Sequence, residues 1–543
     1  MTVSRAGLSP TTNTRFGTAI LIVVVLLSVI PATLVRIPPI LDYPNHYVRL
    51  WLIDGGVLQS PVSKMYALDW SYASTNLAID LVARVLKGIA PVGTIGPLVM
   101  MLAITLRPLG ILLLGQGLFG TARWWHVLCF VLAWNWALVA GFFNFEISLG
   151  LAMLGAALDV RLARHGRVVT ALLRIVVGGI VLIAHPFGFI FYVALLSGLA
   201  IGFSFAPLRS ARGLWEAAIR VVLVCLPTVV PLAMLLLLAP VLPTSHVQDP
   251  GGFIGWQTPS LSSHISVLLT GIKTYRFSVD AVFGLFLAVP IFVALIRHRL
   301  RTHAGLLIVT IVLTIVSLLM PSRIMGIAGV ETRLPCMVAL ALSVAVLPDF
   351  RFSARTAALA TGLAVLVVAA RSAWIGHIWV DRQPDLASVS RALEHVPAGA
   401  AILPLENLPG TAQMAQAPTG RFLGNNPIFW HYPTLAIMDR HAFVPTLFTA
   451  AGQQPVRVLP PWKNISVVAG PLAPVDKLGD PTQGVATYLS RWRDCFDYIL
   501  VVNADMPNAD GPLLASPAIV PVDNEGFARL YRIVRVAGGQ ACH

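Results

Sequence analysis

Apolar residues fill long runs through the first 380 positions, and polar residues are confined to short stretches between them. Runs of about 17 to 25 apolar residues are long enough to cross a bilayer as helices. The pattern places spans at 16–35, 95–118, 125–141, 145–161, 172–187, 189–206, 217–240, 279–296, 304–320, 334–349 and 357–378, about eleven in all. Between the first two spans, 47–58 and 76–89 mix apolar and charged positions at helical spacing. Both are too short and too charged to span, so they are expected to lie along the membrane surface. After 379 the pattern becomes that of a soluble α/β module. A helix is expected over 385–395 and strands over 400–405, 442–447, 498–502 and 528–534, joined by Pro- and Gly-rich connections. The fold expected is therefore a polytopic α-helical membrane domain, 1–379, followed by an α/β domain, 380–543.

Charge sets the orientation. The chain carries a formal +14, with 26 Lys+Arg against 11 Asp+Glu up to Val380 and 12 against 13 from Asp381 onward. The excess belongs to the membrane part, which argues against a nucleic-acid partner and for loops that meet anionic lipid. With the N-terminus inside, fifteen arginines fall on inner segments, opposed only by Asp159, Glu216 and Asp349. The expected outer segments are then 36–93, 241–280 and everything after 379, which makes the C-terminal domain extracytoplasmic.

Composition agrees with this picture. A hydrophobic content of 57% and a mean hydropathy of +0.78 exclude an ordinary soluble protein. Arg5 and Arg15 precede the first apolar run, and no small-x-small cleavage site follows it, so that run reads as a retained signal anchor. Cys129, Cys225 and Cys336 sit in or beside apolar runs as small packing residues. Cys495 and Cys542 share the C-terminal part and can pair there if the compartment is oxidising.

The densest chemistry follows the first span, in 40–52 (ILDYPNHYVRLWL), where Asp42, His46 and Arg49 fall within eight residues. If Pro44 opens a helix, His46 and Arg49 share one face and Asp42 stands in the lead-in. Asp42 there can equally cap the helix. His46 can orient Asp42, contact phosphate or be an ordinary interfacial histidine, and Arg49 can meet lipid headgroups. Arg107 falls mid-span, where a charge faces a cavity, here with phosphate as its expected ligand, or pairs with an acid such as Glu146 or Asp159. Glu146 and His185 lie at outer span ends and line a vestibule if the spans bundle. Asp80 lies either on a solvated helix face or beside an acceptor site. Lys273 and Arg276 in the second outer loop can hold phosphate or anchor the loop to lipid.

The acid after the first span, the long first outer loop, about eleven spans and the C-terminal α/β domain together resemble the GT-C integral-membrane glycosyltransferases. These include bacterial lipid A aminoarabinose transferases and protein mannosyltransferases. The stretches NLAIDL (76–81), GFFNFEISLGLAML (141–154), AHPFG (184–188) and GVETRL (329–334) add to the likeness across the membrane part; the soluble domain adds its presence but no motif. The resemblance implies a transferase at the outer face of a bacterial inner membrane, using a polyprenyl-phosphate sugar as donor and an envelope lipid, glycan or protein as acceptor. It makes Asp42 the general base, with His46 beside it. It places Arg333 and Arg323, with Glu331 between them, at a late outer turn that grips donor phosphate, a task suited to a forked guanidinium. Some members use a divalent metal, but no compact DxD or HxxxH pattern occurs here. A flippase of lipid-linked intermediates, or a GT-C-like scaffold without activity, fits the same composition.

Overall fold

In a computed structural model of the chain, the apolar runs fold as helices and the C-terminal part as a mixed sheet with long connections. The structure describes residues 13–120, 122–242, 254–255, 261–324, 327–478, 488–489, 492–507, 516–534 and Cys542. Residues 243–253 and 256–260 of the second outer loop expected at 241–280 thus lie outside the described residues.

Among the described residues, six helices are long and apolar enough to cross a membrane: Val92–Phe119, Phe143–His165, Arg167–Ala184, Ala211–Leu238, Phe277–Ile296 and Ala354–Leu393. The expectation of about eleven spans is corrected here. The other apolar runs fold as shorter helices of 10–17 residues, such as Trp124–Ala140 and Pro186–Ile201. At 1.5 Å per residue these fall short of a hydrocarbon core about 30 Å thick. The physical reason is local. In the first, the Asn135 side chain accepts from the Leu138 amide and starts a new helix inside the run. In the second, Pro186 cannot continue the preceding helix, and His185 Nδ1 accepts from the Phe187 amide to begin the next. An apolar count does not register the break at Asn135; the one at Pro186 falls at the boundary expected between 172–187 and 189–206.

Helix packing is tightest between Val92–Phe119 and Phe143–Leu162, where Gly110 meets Met153 and Gly150 meets the backbone at Leu106. Small residues allow that approach. At the other extreme, only 11% of the apolar window of Ala211–Leu238 and 17% of that of Phe277–Ile296 is buried within the protein. Their outward surface is apolar, as a lipid-facing helix requires.

The C-terminal region is built on a five-stranded sheet. We label its strands β1 (Ile402–Glu406), β2 (Ala473–Pro474), β3 (Tyr498–Val502), β4 (Ile519–Asn524) and β5 (Ala528–Ile533). Their order is β2-β1-β3-β5-β4, with β1 parallel to β2 and β3, and β5 antiparallel to β3 and β4. The helix expected over 385–395 is Gln383–Leu393 and continues the last spanning helix. The strand expected over 442–447 is reduced to a single bridge, Ala401 to Phe443. A disulfide joins Cys495 to Cys542.

Residues 36–93 and the C-terminal region share one hydrophobic core. Tyr66–Leu68 pairs antiparallel with Val456–Val458, and the Tyr66 hydroxyl donates to the Val444 carbonyl. This corrects the reading of 47–58 as a surface helix. The helix spans Tyr43–Asp54, and ten of its twelve residues are buried. Its polar positions face the C-terminal region and helix Ala78–Leu86 rather than water. That second helix does leave Leu81 and Val85 exposed, but it turns Asp80 inward.

Candidate active site at the rim

The Tyr43–Asp54 helix, here the rim helix, starts where Pro44 fixes the first turn and no amide is lost by it. Asp42 stands just before, and its side chain makes no capping bond, so the capping alternative is removed. Asp42 is held by its backbone. The amides of Leu41 and Asp42 donate to the carbonyls of Val139 and Ala140 at 3.0 and 3.2 Å. The next residue, Gly141, has φ +91°, and a Cβ there would stand 2.7 Å from the Asp42 Cβ. Only glycine meets both the left-handed backbone and the close approach. The 141–154 stretch therefore bears on the site through its first glycine.

His46 lies one turn along. Burial, reinforced by the nearby Arg49 charge, holds it well below the ordinary histidine value, so the ring is neutral. Its Nε2 lies 2.9 Å from the Gly141 carbonyl, which can only accept, so the ring proton sits there. Nδ1 is buried with no hydrogen-bond partner among the described residues. The expectation that His46 orients Asp42 is corrected: it clamps Gly141.

The group that meets Asp42 comes from the C-terminal region. His431 Nε2 lies 3.5 Å from Asp42 Oδ1, and its Nδ1 lies 3.2 Å from Asn45 Nδ2. Asp42 keeps 13% of its side chain exposed, against 3% for His431. Arg333, the first residue of helix Arg333–Ala345, is close enough for its charge to act on Asp42, Glu331 and His185. Arg333 Nη1 donates to the Gly329 carbonyl at 2.8 Å, and its guanidinium stacks over Phe142 at 4.3 Å. Burial pushes the Glu331 carboxyl up from its ordinary value, partly offset by Arg333. Asp42, Arg333, Glu331 and His185 thus gather at one rim.

Other expected site residues do not join them. Arg49 pairs with Asp80 in a forked contact, Nε–Oδ1 2.6 Å and Nη2–Oδ2 3.2 Å, with neither side chain exposed. Neither faces a headgroup or a vestibule; each cancels the other's charge under the C-terminal region. Arg107 Nε lies 2.6 Å from Glu146 Oε2, and both are sealed from solvent. Arg107 also donates to the carbonyls of Leu132 and Ala133, which an interrupted helix leaves without partners. Arg107 as a phosphate ligand and Glu146 as a vestibule acid are both corrected on this ground. Lys273 is half-buried and Arg276 exposed, and among the described residues no hydrogen bond or ion pair ties either to Asp42. Arg323 lies in a short strand paired with 254–255, and its side chain falls outside the described residues.

His431, Asn45 and the buried pair Arg371–Asp280 went unnoticed in the sequence. Arg371 had a signal, since it lies inside the predicted span 357–378. His431 lies 389 positions from Asp42, in FWHYP within a Pro-rich stretch, and no local pattern links the two. Among the described residues, no group of three or more His, Cys, Asp or Glu side chains is arranged to hold a metal ion.

Comparison with protein-family models, curated proteins and solved structures finds no match. Functional argument therefore rests on geometry: a part-exposed carboxylate, a neighbouring imidazole and a guanidinium whose charge reaches the carboxylate. That set can accept a proton from a hydroxyl and hold an anionic group nearby.

Proposed function

We propose that the chain is a GT-C-like glycosyltransferase that moves a sugar from a polyprenyl-phosphate donor to an envelope lipid, glycan or protein acceptor, at the outer face of a bacterial inner membrane. The supporting observation is the placement of Asp42 at a rim where it retains solvent access and feels Arg333. In the step, the acceptor oxygen bonds to the anomeric carbon as that carbon's bond to the donor phosphate oxygen breaks. The acceptor proton passes to Asp42, and the electron pair leaves on polyprenyl phosphate. Arg333 stabilises the charge that collects on the leaving phosphate. The sequence resemblance supplies the donor class, and the geometry supplies an acid and a cation on one rim.

Purified protein in lipid discs, given labelled polyprenyl-phosphate sugar and an envelope extract, is expected to release polyprenyl phosphate. Asp42→Asn is expected to stop that release without reducing the folded yield. Transbilayer movement of intact donor with no release, or equal release by the variant, would overturn the proposal.

A further inference from the structure

We infer that the C-terminal region completes the rim site by supplying His431 as the positioning residue for Asp42, held by Asn45 in its Nε2–H form.

The argument is one of hydrogen-bond capacity. Asn45 is fully buried, and its two ends are distinguished by backbone groups. Its Oδ1 accepts from the Phe448 amide at 2.9 Å, so that atom is oxygen. Its Nδ2 has two protons. One goes to the Thr446 carbonyl at 2.9 Å, which leaves the other for His431 Nδ1 at 3.2 Å. Nδ1 must then carry a lone pair. A neutral His431 with its lone pair at Nδ1 has its proton at Nε2, the atom 3.5 Å from Asp42 Oδ1. The ring cannot drift from this position. Phe448 packs edge-on at 4.7 Å, and the Thr434 hydroxyl holds the His431 carbonyl at 2.6 Å.

The consequence is directional. His431 Nε2–H steers one carboxylate oxygen of Asp42, so the other is presented to an incoming hydroxyl. Asn45 lies three residues from Asp42, while His431, Thr446 and Phe448 all belong to the C-terminal region. The site is therefore assembled only when that region docks on the rim helix. The catalytic part of this inference rests on the transferase reading; the tautomer does not.

The experiment uses full-length protein labelled with ¹⁵N-histidine, with His431 assigned from the spectrum of His431→Gln. The expected state at neutral pH is the Nε2–H tautomer. Asn45→Asp, which places an acceptor against Nδ1, is expected to move the proton to that nitrogen. An Nδ1–H ring in the unaltered protein, or no change in Asn45→Asp, would overturn the assignment whatever the enzyme does. In the release assay, His431→Phe is expected to lower kcat about tenfold or more with the acceptor KM unchanged. His431→Gln, whose amide N–H can stand in for Nε2–H, is expected to recover most of that loss. Equal activity in the Phe and Gln variants, or a KM change alone, would overturn the positioning role. Release that survives Asp42→Asn would instead sink the transferase reading and leave the tautomer measurement intact.

Discussion

Arg107 and Glu146 sit 2.6 Å apart with neither side chain reachable by solvent, whereas Asp42 meets His431 at 3.5 Å and keeps 13% of its side chain exposed. The inner pair has close company. Arg49–Asp80 is equally sealed, and so is Arg371–Asp280, where Arg371 also donates to the carbonyls of Trp134 and Ile272. Arg107 and Arg371, from different helices, thus hold the three consecutive carbonyls of Leu132, Ala133 and Trp134 at an interrupted helix. In an apolar surround those carbonyls have no water to turn to. Each inner acid is matched by a permanent cation, which fixes its charge and its place. The rim acid is approached at 3.5 Å by an imidazole, which carries no permanent charge to cancel its own. The first arrangement suits architecture and the second suits proton transfer.

If that division is right, the two kinds of acid respond oppositely to substitution. Asp42→Asn is expected to cost about 10²-fold or more in release rate, the usual worth of a general base, while thermal stability stays within experimental scatter. A comparable loss of melting temperature would show Asp42 to be structural and collapse the distinction. Arg107→Leu is expected to do the reverse, destabilising by about 3–5 kcal/mol because Glu146 is left buried and uncompensated. Pairing it with Glu146→Leu is expected to restore part of that loss, read as recovered monodisperse protein after detergent extraction. A double variant no better than the single would mean that the carbonyls at 132–133 matter more than the acid.

Arg333 tests the rim from the cationic side. Arg333→Lys keeps the charge but loses the fork and the stacking over Phe142, so the donor KM is expected to rise about tenfold. Unchanged donor KM would remove Arg333 from the proposed phosphate contact.

Much of the helical part was legible because apolar periodicity is a local property. The strand Tyr498–Val502 falls where it was expected, and Arg107 meets Glu146, one of the two acids its depth in the run suggested. The number of spans was not legible, because Asn135 restarts the helix inside a run that still reads as apolar and several other runs fold as helices too short to cross. The rim helix was misplaced at the surface because its polar residues resemble a solvated face. Their partners, Asp80 for Arg49 and Thr446 and Phe448 for Asn45, lie 31 to more than 400 positions away. Asp42 could be found from its neighbourhood in the sequence; His431 could not, since only the docked C-terminal region brings it there.

Glu406 supplies a third kind of acid and the mildest test of the comparison. It ends β1, is almost wholly buried, and its Oε2 accepts from Trp430 Nε1 at 2.7 Å, with no arginine paired to it among the described residues. Burial pushes its carboxyl up to about 8, with the Trp430 bond pulling weakly the other way. Between its ordinary value of 4.5 and about 8 the folded protein holds a proton that the unfolded chain has lost, so stability falls as pH rises through that window. Each unit of difference is worth about 1.4 kcal/mol, much of it relieved by relaxation, so a net effect of about 2 kcal/mol is expected. Glu406→Gln keeps an acceptor for Trp430 but cannot ionise. It is expected to match the unaltered protein at pH 5 and to melt progressively higher than it from pH 6 to pH 8. A gap that stays constant across that range would mean that Glu406 is already ionised in the fold. Burial without a cation would then not suffice to keep an acid neutral here, and the matching of each inner acid to an arginine would lose its physical reason.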